Sequence, residues 1–285
     1  MQTVPISFPN LGIFINPGTY FSVFGYSIHW YGVIIAFGFL LAVFYGDRRA
    51  KQFGFTEDHI VSMLLIAAPL AIICARIYYC AFSWEDFRDD PISCLYVWNG
   101  GIAIYGAILG AILGGWLYCH FAKLRFTAML DLGALGLLIG QSIGRWGNFM
   151  NREVYGVETD SFLKMGLGAG DDVKYYHPLF LYESLWNALG FVLLHFYSKR
   201  RKFDGEVFLL YIVWYGLGRG VLEGMRMQEF NLMIPGTSIP FSQVLGFASA
   251  AVAAALWAYL RFSPKHGAKK LYAQEVAERE QKAET

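Results

Sequence analysis

Seven long apolar segments constrain the fold of this chain more than any other feature of its sequence. They cover residues 28–46, 59–82, 97–121, 127–149, 178–198, 207–225 and 241–261. Each approaches the length of about 20 apolar residues that crosses the hydrocarbon core of a bilayer as a helix. Hydrophobic residues make up 56% of the 285 residues and charged residues only 16%. The sequence therefore predicts an all-α fold, a polytopic integral membrane protein with about seven transmembrane helices.

Lysine and arginine residues are concentrated in every second connection between these segments. The basic connections contain Arg48, Arg49 and Lys51; Lys123 and Arg125; Lys199, Arg200, Arg201 and Lys202; and, after the last segment, Arg261, Lys265, Lys269 and Lys270. The connections between them are acidic or mixed. Because short loops rich in Lys and Arg stay on the cytoplasmic side, we expect an external N-terminus and a cytoplasmic C-terminus.

The apolar segments also suggest a domain division. Residues 1–262 are predicted to form a transmembrane catalytic domain, and residues 263–285 a charged cytoplasmic tail that is a short solvated helix or a frayed end. The longest external stretch, about 152–177, is predicted to form a small head. The stretch before the first span contains no Lys or Arg, so it lacks the basic start of a secretory signal peptide, and we expect a membrane anchor.

Composition and motifs exclude several classes of function. The net charge of +1 provides no basic field for nucleic acid. The four cysteines have neither CxxC spacing nor the density of a disulfide scaffold, and we interpret them as packing residues: Cys74, Cys80, Cys94 and Cys119. The sequence contains no metal-ligand motif such as HExxH. We therefore predict no metal, no other cofactor and no nucleic-acid partner.

Several ionisable residues lie inside the predicted spans, where each costs at least about 2.5 kcal/mol unless it is paired, hydrated or functional. Among them are Arg76, Asp131, Arg145, Glu183, Arg219 and Glu223. For Arg76 and Asp131 we expect either a pair with one another or bonds to backbone groups, in support of a site. Glu183, about a turn and a half after His177, is predicted to orient an arginine.

Two predicted helical faces combine arginine with other polar side chains. The first carries Gln141, Arg145, Asn148 and Asn151, beside a row of glycines at 140, 144 and 147; the second carries Tyr215, Arg219, Glu223 and Arg226. A guanidinium group offers a planar fork of donors that matches phosphate, so the faces predict an anion site. The alternative for the second face is an internal Arg219–Glu223 ion pair. His29 is predicted to be an interfacial residue, with Tyr31 near the site.

Several motifs cover nearly the whole chain and together resemble one known family. The stretch GRWGNFMNREVYG, residues 144–156, matches every fixed position of G-R-x-G-N-F-x-N-x-E-x-x-G. This is similar to the signature of the bacterial prolipoprotein diacylglyceryl transferases. HWYG at 29–32, WNGG-x-x-x-YG at 98–106, HPxxLYE at 177–183 and YGxxRxxxExxR at 215–226 extend the resemblance in the same order.

The resemblance implies a seven-span enzyme of the bacterial cytoplasmic (inner) membrane with its N-terminus outside. Its reaction would transfer the diacylglyceryl group of phosphatidylglycerol to the lipobox cysteine thiol of a prolipoprotein, forming a thioether and releasing glycerol 1-phosphate. Its partners would be membrane lipid and prolipoprotein signal peptides with a lipobox cysteine. No metal or organic cofactor is implied. A transporter of an anionic lipid or other anion, and a non-catalytic scaffold, remain alternatives.

The resemblance also implies roles for the polar residues. Arg145 and Arg219 would hold the lipid phosphate, and Glu223 would position them. Lipid-binding residues would be Tyr31, Asn148, Asn151, Glu153, Tyr215 and Arg226, with His29, Arg76, Asp131, His177 and Glu183 in support. The sequence departs from the family's H-G-G-L-I-G pattern, because Tyr105 occupies the position of the histidine. Tyr105 is therefore a predicted catalytic residue, and the base for the thiol is unassigned.

Overall fold

The computed structural model describes residues 4–97, 100–227, 229, 232–263 and 270–284, and within them the protein is mostly helical. Its α-helices are α1 (Trp30–Arg49), α2 (Glu57–Phe82), α3 (Ile104–Phe121), α4 (Phe126–Asn151), α5 (Leu179–Tyr197), α6 (Glu206–Glu223), α7 (Phe241–Phe262) and α8 (Tyr272–Glu284). Its strands are β1 (Ile6–Phe8), β2 (Ile13–Ile15), β3 (Tyr20–Val23), β4 (Tyr26–His29), β5 (Met165–Leu167) and β6 (Lys174–Tyr176). The dominance of helices confirms the predicted fold class.

Six of these helices are long and apolar enough to cross a membrane: α1 to α5 and α7. The remaining predicted span corresponds to α6, which contains 18 residues. Its mean hydropathy is reduced by three ionised side chains: Glu206, Arg219 and Glu223. The helices are those of a multi-pass membrane protein, while the total of seven spans and their orientation stay predictions.

Two helices begin later than the sequence indicated. The first span was expected from residue 28, but residues 27–29 belong to β4, and α1 begins at Trp30. The third span was expected from residue 97, but α3 begins at Ile104. Gly100 and Gly101 have φ values of +83° and +75°, which a right-handed helix cannot accommodate. The expected helical residues Trp98 and Asn99 lie outside the described residues.

In the described residues, strands form two small sheets that the hydropathy pattern did not indicate. The first has the order β2-β1-β5-β6 and is antiparallel throughout, with Ile6 opposite Leu167 in register. It therefore joins the N-terminal residues to the predicted head at 152–177. Its apolar side contributes to a buried cluster of Ile6, Phe8, Phe149, Met165 and Phe180. The second sheet is the β3–β4 hairpin.

The chain forms two compact units, of which the first contains residues Met1–Gly46 and Asp131–Lys269. Within this unit, Asp131 of α4 is fully buried, and its side chain lies beside the start of α6. Its carboxylate accepts hydrogen bonds from the backbone N–H groups of Gly205 and Phe208, at 2.8 and 2.9 Å. These amides lack partners within the helix because they lie at its N-terminus. Asp131 therefore bonds to backbone groups, the second of the two arrangements expected for it.

The second unit contains Asp47–Leu130 and Lys270–Thr285. Arg76 of α2 is buried there and donates to the carbonyl oxygens of Ser93, Cys94, Gly100 and Gly101, at distances of 2.6 to 2.8 Å. It therefore also bonds to backbone and fixes the connection that leads into α3.

Glycines allow α2 and α3 to pack closely within the second unit. A Cβ atom on Gly110 would lie 2.5 Å from the carbonyl oxygen of Leu70, and one on Gly114 would lie 2.7 Å from the Cα atom of Ala67. The absence of side chains on this face of α3 lets the two backbones approach, as in other membrane helix pairs.

The four cysteines of the chain are free thiols: Cys74, Cys80, Cys94 and Cys119.

The predicted charged tail contains α8, which is tied to the second unit at its first residues. Tyr272 is buried and its ring lies 5.5 Å from that of Phe55. Arg125 donates to both carboxylate oxygens of Glu275, at 2.8 Å each. The predicted helix therefore packs at its start, and only its later residues are solvated.

Candidate functional site

Three arginines and two glutamates form one ion-paired cluster in the first unit, which we call the arginine–glutamate cluster. Glu183 of α5 lies 2.6 Å from Arg145 of α4, 3.2 Å from Arg226 and 3.8 Å from Arg219 of α6. Glu223 lies 2.9 Å from Arg219 and 3.3 Å from Arg226. The two polar faces expected from the sequence thus meet, and Glu183 contacts all three arginines.

Exposure separates the five side chains into an open pair and a buried trio. Arg145 and Arg219 are 19% and 21% exposed, whereas Glu183, Arg226 and Glu223 are 8%, 8% and 3% exposed. Three guanidinium groups and two carboxylates leave the cluster with a net charge of +1. The unbalanced positive charge therefore belongs to a cluster whose accessible members are both arginines, which favours an anion over a cation as ligand.

Arg226, which the resemblance implies as a lipid-binding residue, is the most buried of the three arginines in the cluster. Its side chain lies between Glu183 and Glu223, and its backbone pairs with Gly156 as an antiparallel bridge. Gly156 ends the stretch that begins at Gly144, so this bridge joins the two arginine-containing motifs. The arrangement suits a residue that holds the carboxylates in position behind Arg145 and Arg219.

A row of amide groups continues from the cluster along α4. Arg145 donates to Oδ1 of Asn148 at 3.3 Å, and Nδ2 of Asn148 donates to Glu153 at 2.8 Å. Nδ2 of Asn151 donates to the same carboxylate oxygen at 3.5 Å. Four of the residues expected at the site are therefore linked by hydrogen bonds, and Glu153 lies at the end of the row.

The turn after α4 places Glu153 against this row, and Arg152 fixes the turn. Arg152 and Val154 have φ values of +55° and +58°, a left-handed conformation that is uncommon for residues other than glycine. Arg152 donates to the carbonyl oxygens of Val4, Pro17 and Met150, at 2.7, 2.7 and 2.8 Å. Arg152 stands at a variable position of the motif, so the motif gave no indication of this role.

The glycine row on α4 receives side chains of α1. A Cβ atom on Gly147 would lie 2.7 Å from the ring of Tyr31, and one on Gly144 would lie 3.1 Å from Ile35. These glycines therefore let side chains of α1 approach the backbone of α4 closely, as small residues do in membrane helix pairs. Tyr31 thus packs on α4 at Gly147, two residues after Arg145. His29 is exposed in β4, with its ring 5.7 Å from that of Tyr20.

Hydrogen bonds and stacked rings hold the helices that carry the cluster. Ser142 of α4 and Ser184 of α5 exchange hydrogen bonds with one another's backbone carbonyls, at 2.9 and 2.8 Å. Trp186 of α5 stacks on Trp214 of α6 with ring centroids 4.2 Å apart, and each indole donates to the other's carbonyl at 3.0 Å. On α7, Ser242 donates to Glu223 at 2.7 Å. These supporting residues carry no recognisable signal in the sequence.

A second polar contact lies on the same helices as the cluster. Gln141 of α4 donates to the hydroxyl of Tyr211 at 2.9 Å, and the ring of Tyr211 stacks on that of Tyr215 with centroids 5.8 Å apart. Tyr215 stands one turn before Arg219 on α6. The aromatic pair therefore continues the polar face of α6 away from the cluster.

Three further predicted site residues are not members of the cluster: His177, Tyr105 and Arg76. Nδ1 of His177 lies 3.4 Å from the hydroxyl of Tyr182, and its backbone N–H donates to Val157. His177 therefore joins the head to the start of α5. Tyr105 and Arg76 belong to the second unit. Tyr105 is the second residue of α3, 42% exposed, with its ring 6.4 Å from that of Tyr78.

Comparisons with known proteins identify relatives over most of the chain. The family model described as prolipoprotein diacylglyceryl transferase matches residues 19–259. A phosphatidylglycerol–prolipoprotein diacylglyceryl transferase of Bacillus licheniformis is 39% identical over 244 residues, covering 83% of this chain and 89% of the relative. The protein of the same name from Limosilactobacillus reuteri is 43% identical over 234 residues, covering 77% and 82%. That from Listeria welshimeri is 42% identical over 208 residues, covering 70% and 75%.

Proposed function

The chain belongs to the prolipoprotein diacylglyceryl transferase family, and we propose that its arginine–glutamate cluster binds the phosphate group of phosphatidylglycerol. The protein is a membrane transferase that acts in the first step of lipoprotein maturation, with phosphatidylglycerol and prolipoproteins as substrates.

In the proposed reaction, the thiol sulfur of the lipobox cysteine attacks the glyceryl carbon that is bonded to the phosphate. A carbon–sulfur bond forms, the carbon–oxygen bond to phosphate breaks, and glycerol 1-phosphate leaves with the bonding electrons. The phosphodiester carries one negative charge, and the phosphomonoester that leaves carries up to two. Groups that bind the phosphate more strongly as this charge grows accelerate the reaction.

Arg145 and Arg219 have the chemistry that this step requires. The observation that carries the proposal is that they are the two accessible members of a cluster whose net charge is +1. Glu183, Glu223 and Arg226 are buried behind them and restrict their rotation, so the donors are oriented before the lipid arrives. A preorganised guanidinium group loses little conformational freedom when charge develops on the phosphate.

The amide row of Asn148 and Asn151, with Glu153, is proposed to bind the glycerol head group. A carboxylate accepts hydrogen bonds from hydroxyl groups, and amide groups both donate and accept. Phosphatidylglycerol differs from most membrane phospholipids in having free hydroxyl groups beyond its phosphate. Arg145 donates to Asn148, so head-group recognition and phosphate binding would be coupled. Tyr215, one turn before Arg219 on α6, and Tyr31, which packs on Gly147 of α4, are proposed to line the same lipid site.

The hydroxyl of Tyr105 is proposed to act on the incoming thiol or on the phosphate ester. A thiol with an ordinary pKa of about 8.5 is mostly protonated at neutral pH, so a base or a positive field must increase its thiolate fraction. The field of Arg145 and Arg219 acts in this direction, whether or not Tyr105 accepts the proton.

We propose that the protein lies in the bacterial cytoplasmic (inner) membrane with its N-terminus and head outside. The alternation of basic and acidic connections supports this orientation. A lipobox cysteine near the external face of that membrane would then reach the arginine side chains from the head side.

One assay tests the proposed reaction. Purified protein is reconstituted into phosphatidylglycerol vesicles with a lipobox peptide, and the peptide mass is measured. We expect a gain of one diacylglyceryl group on the cysteine, and no gain with a Cys→Ser peptide or with phosphatidylcholine vesicles. Movement of phosphatidylglycerol between leaflets with an unmodified peptide would instead indicate a transporter and contradict the proposal.

A further inference from the structure

The β3–β4 hairpin presents aromatic side chains outward at the end of a two-residue turn. Phe24 and Gly25 form the turn, with φ values of +49° and +82°. Positive φ at both central residues is the geometry of the tight turn that matches the twist of a hairpin. Phe24 is 97% exposed and Tyr26 is 78% exposed. A bulky aromatic residue rarely adopts this conformation, and here it holds Phe24 outward at the tip.

The hairpin lies in a part of the chain that carries no ionised side chain. Residues 1–46 contain no Asp, Glu, Lys or Arg. Phe162 in the head differs in this respect: it is 67% exposed, but Lys164 and Asp160 beside it pair at 3.2 Å. An uncharged aromatic surface is costly in water, whereas Tyr and Trp are enriched where membrane meets water.

The hairpin continues directly into a membrane-spanning helix. β4 ends at His29 and α1 begins at Trp30. The backbone N–H of Trp30 donates to Thr19 at 3.0 Å, and the ring of Phe21 lies 4.7 Å from that of Trp30. The hairpin is therefore attached to the first turn of α1 by a hydrogen bond and a ring contact as well as by the chain. Since α1 crosses the bilayer, the hairpin must lie at the membrane boundary.

We propose that the β3–β4 hairpin is immersed in the interfacial layer of the lipid bilayer and sets the depth of the helix ends at the functional site. The ring of Tyr31, the second residue of α1, packs on Gly147 of α4, within one turn of Arg145. The depth of the hairpin thus determines the depth of α1 and, through this contact, of the end of α4. The partner is the membrane surface, and the immersion itself does not depend on the proposed reaction.

Hydroxyl-radical footprinting of the unmodified protein in lipid nanodiscs tests the immersion without any turnover. Radicals oxidise aromatic side chains that contact water and spare those covered by lipid. Phe162 is the matched control, because it is also a highly exposed phenylalanine. We expect Phe24 to be oxidised several-fold more slowly than Phe162, although a larger fraction of it is exposed in the protein. Oxidation of Phe24 at a rate equal to or above that of Phe162 would overturn the proposal.

A pair of variants tests whether the tip anchors the hairpin. In Phe24→Asp, a carboxylate replaces the aromatic ring at the tip, and burying it in the interfacial layer is unfavourable. We expect Tyr26 to become oxidised faster in nanodiscs, while Phe162→Asp leaves the rate at Tyr26 unchanged. An unchanged rate at Tyr26 in Phe24→Asp, or an equal increase in both variants, would contradict anchoring by the tip.

Discussion

Nη2 of Arg145 and Oε2 of Glu183 lie 2.6 Å apart, and this ion pair joins α4 to α5 at the candidate site. Both Glu183 oxygens are engaged, because the other oxygen pairs with Arg226 at 3.2 Å. A carboxylate shared in this way cannot neutralise any one arginine fully. The pair therefore orients Arg145 while leaving part of its positive charge for a ligand.

Replacing Arg145 with lysine tests the phosphate role. An ammonium group cannot reproduce the planar fork of a guanidinium group, so we expect Arg145→Lys to lose about 10²–10³-fold of its turnover, while the protein still accumulates in the membrane. Turnover is measured as diacylglyceryl transfer to a lipobox peptide. Arg88→Lys is the matched control, since Arg88 is exposed and pairs with Glu85; near-normal turnover in both variants would count against the phosphate role.

Replacing Glu223 with glutamine separates orientation of the arginines from simple charge balance. A hydrogen bond to a charged group is worth about 1.5–3 kcal/mol, so we expect Glu223→Gln to turn over about 10- to 100-fold more slowly, with lipid still bound. Lipid binding and transfer are measured in parallel. Ser242→Ala, which removes only the hydroxyl that donates to Glu223, should have a smaller effect. If Glu223→Gln instead fails to accumulate, its main role is structural.

Variants of Tyr105 test its proposed catalytic role. Tyr105→Phe removes only a hydroxyl, so a packing role predicts full activity, whereas a donor or base role predicts a loss of about 10²-fold. Histidine can act as donor or base, and we expect Tyr105→His to retain measurable transfer. Tyr78→Phe, on the neighbouring ring, is the control. Full activity of Tyr105→Phe would remove this residue from the mechanism.

Gly110 is predicted to tolerate no side chain. A Cβ atom there would lie 2.5 Å from a backbone oxygen of α2, so Gly110→Ala should destabilise the protein by about 1–3 kcal/mol through overpacking. Gly133→Ala is the matched control, because a Cβ atom on Gly133 meets nothing within 4 Å and alanine favours a helix. Thermal unfolding in detergent distinguishes them, and equal midpoints would disprove the close α2–α3 contact.

His177 is expected to make the stability of the head depend on pH. Burial lowers the pKa of His177 below its usual value of 6.5. Between that lowered pKa and about 6.5, the unfolded chain therefore binds more protons than the folded protein, and stability falls as the pH falls through this window. We expect His177→Gln to lose less of its thermal midpoint than the unsubstituted protein between pH 7.5 and 5.5. An identical loss in both would assign the pH dependence to other groups.

The sequence predicted the helices and the charged faces because both are local properties. Apolar length identified six helices directly, and helical spacing placed Arg219 and Glu223 on one face, where they pair at 2.9 Å. Arg219 pairs with Glu223 and yet remains 21% exposed. An internal ion pair on this face is therefore compatible with binding of an anion by Arg219. Spacing along one helix could not predict that Glu183 of α5 pairs with all three arginines.

Other features depend on residues that are distant in the chain. Asp131 binds amides more than 70 positions away at Gly205 and Phe208, and no local pattern indicates such a cap. The later start of α3 depends on Gly100 and Gly101, which have positive φ values. Hydropathy does not distinguish these two glycines from the apolar residues around them. The left-handed turn at Arg152 and Val154 similarly lies within a motif whose letters do not reveal its backbone conformation.

The central position of β1 in the four-stranded sheet has a consequence for biosynthesis. β1 is synthesised before any of the helices, yet its neighbour β5 begins only at Met165, after α1 to α4 have been made. Until then β1 can pair only with β2, and an isolated two-stranded ribbon is marginally stable. Completion of the sheet must therefore wait for insertion of four helices, which makes it a late step in folding. A translational pause or truncation before residue 165 would leave β1 with an unpaired edge on the membrane surface.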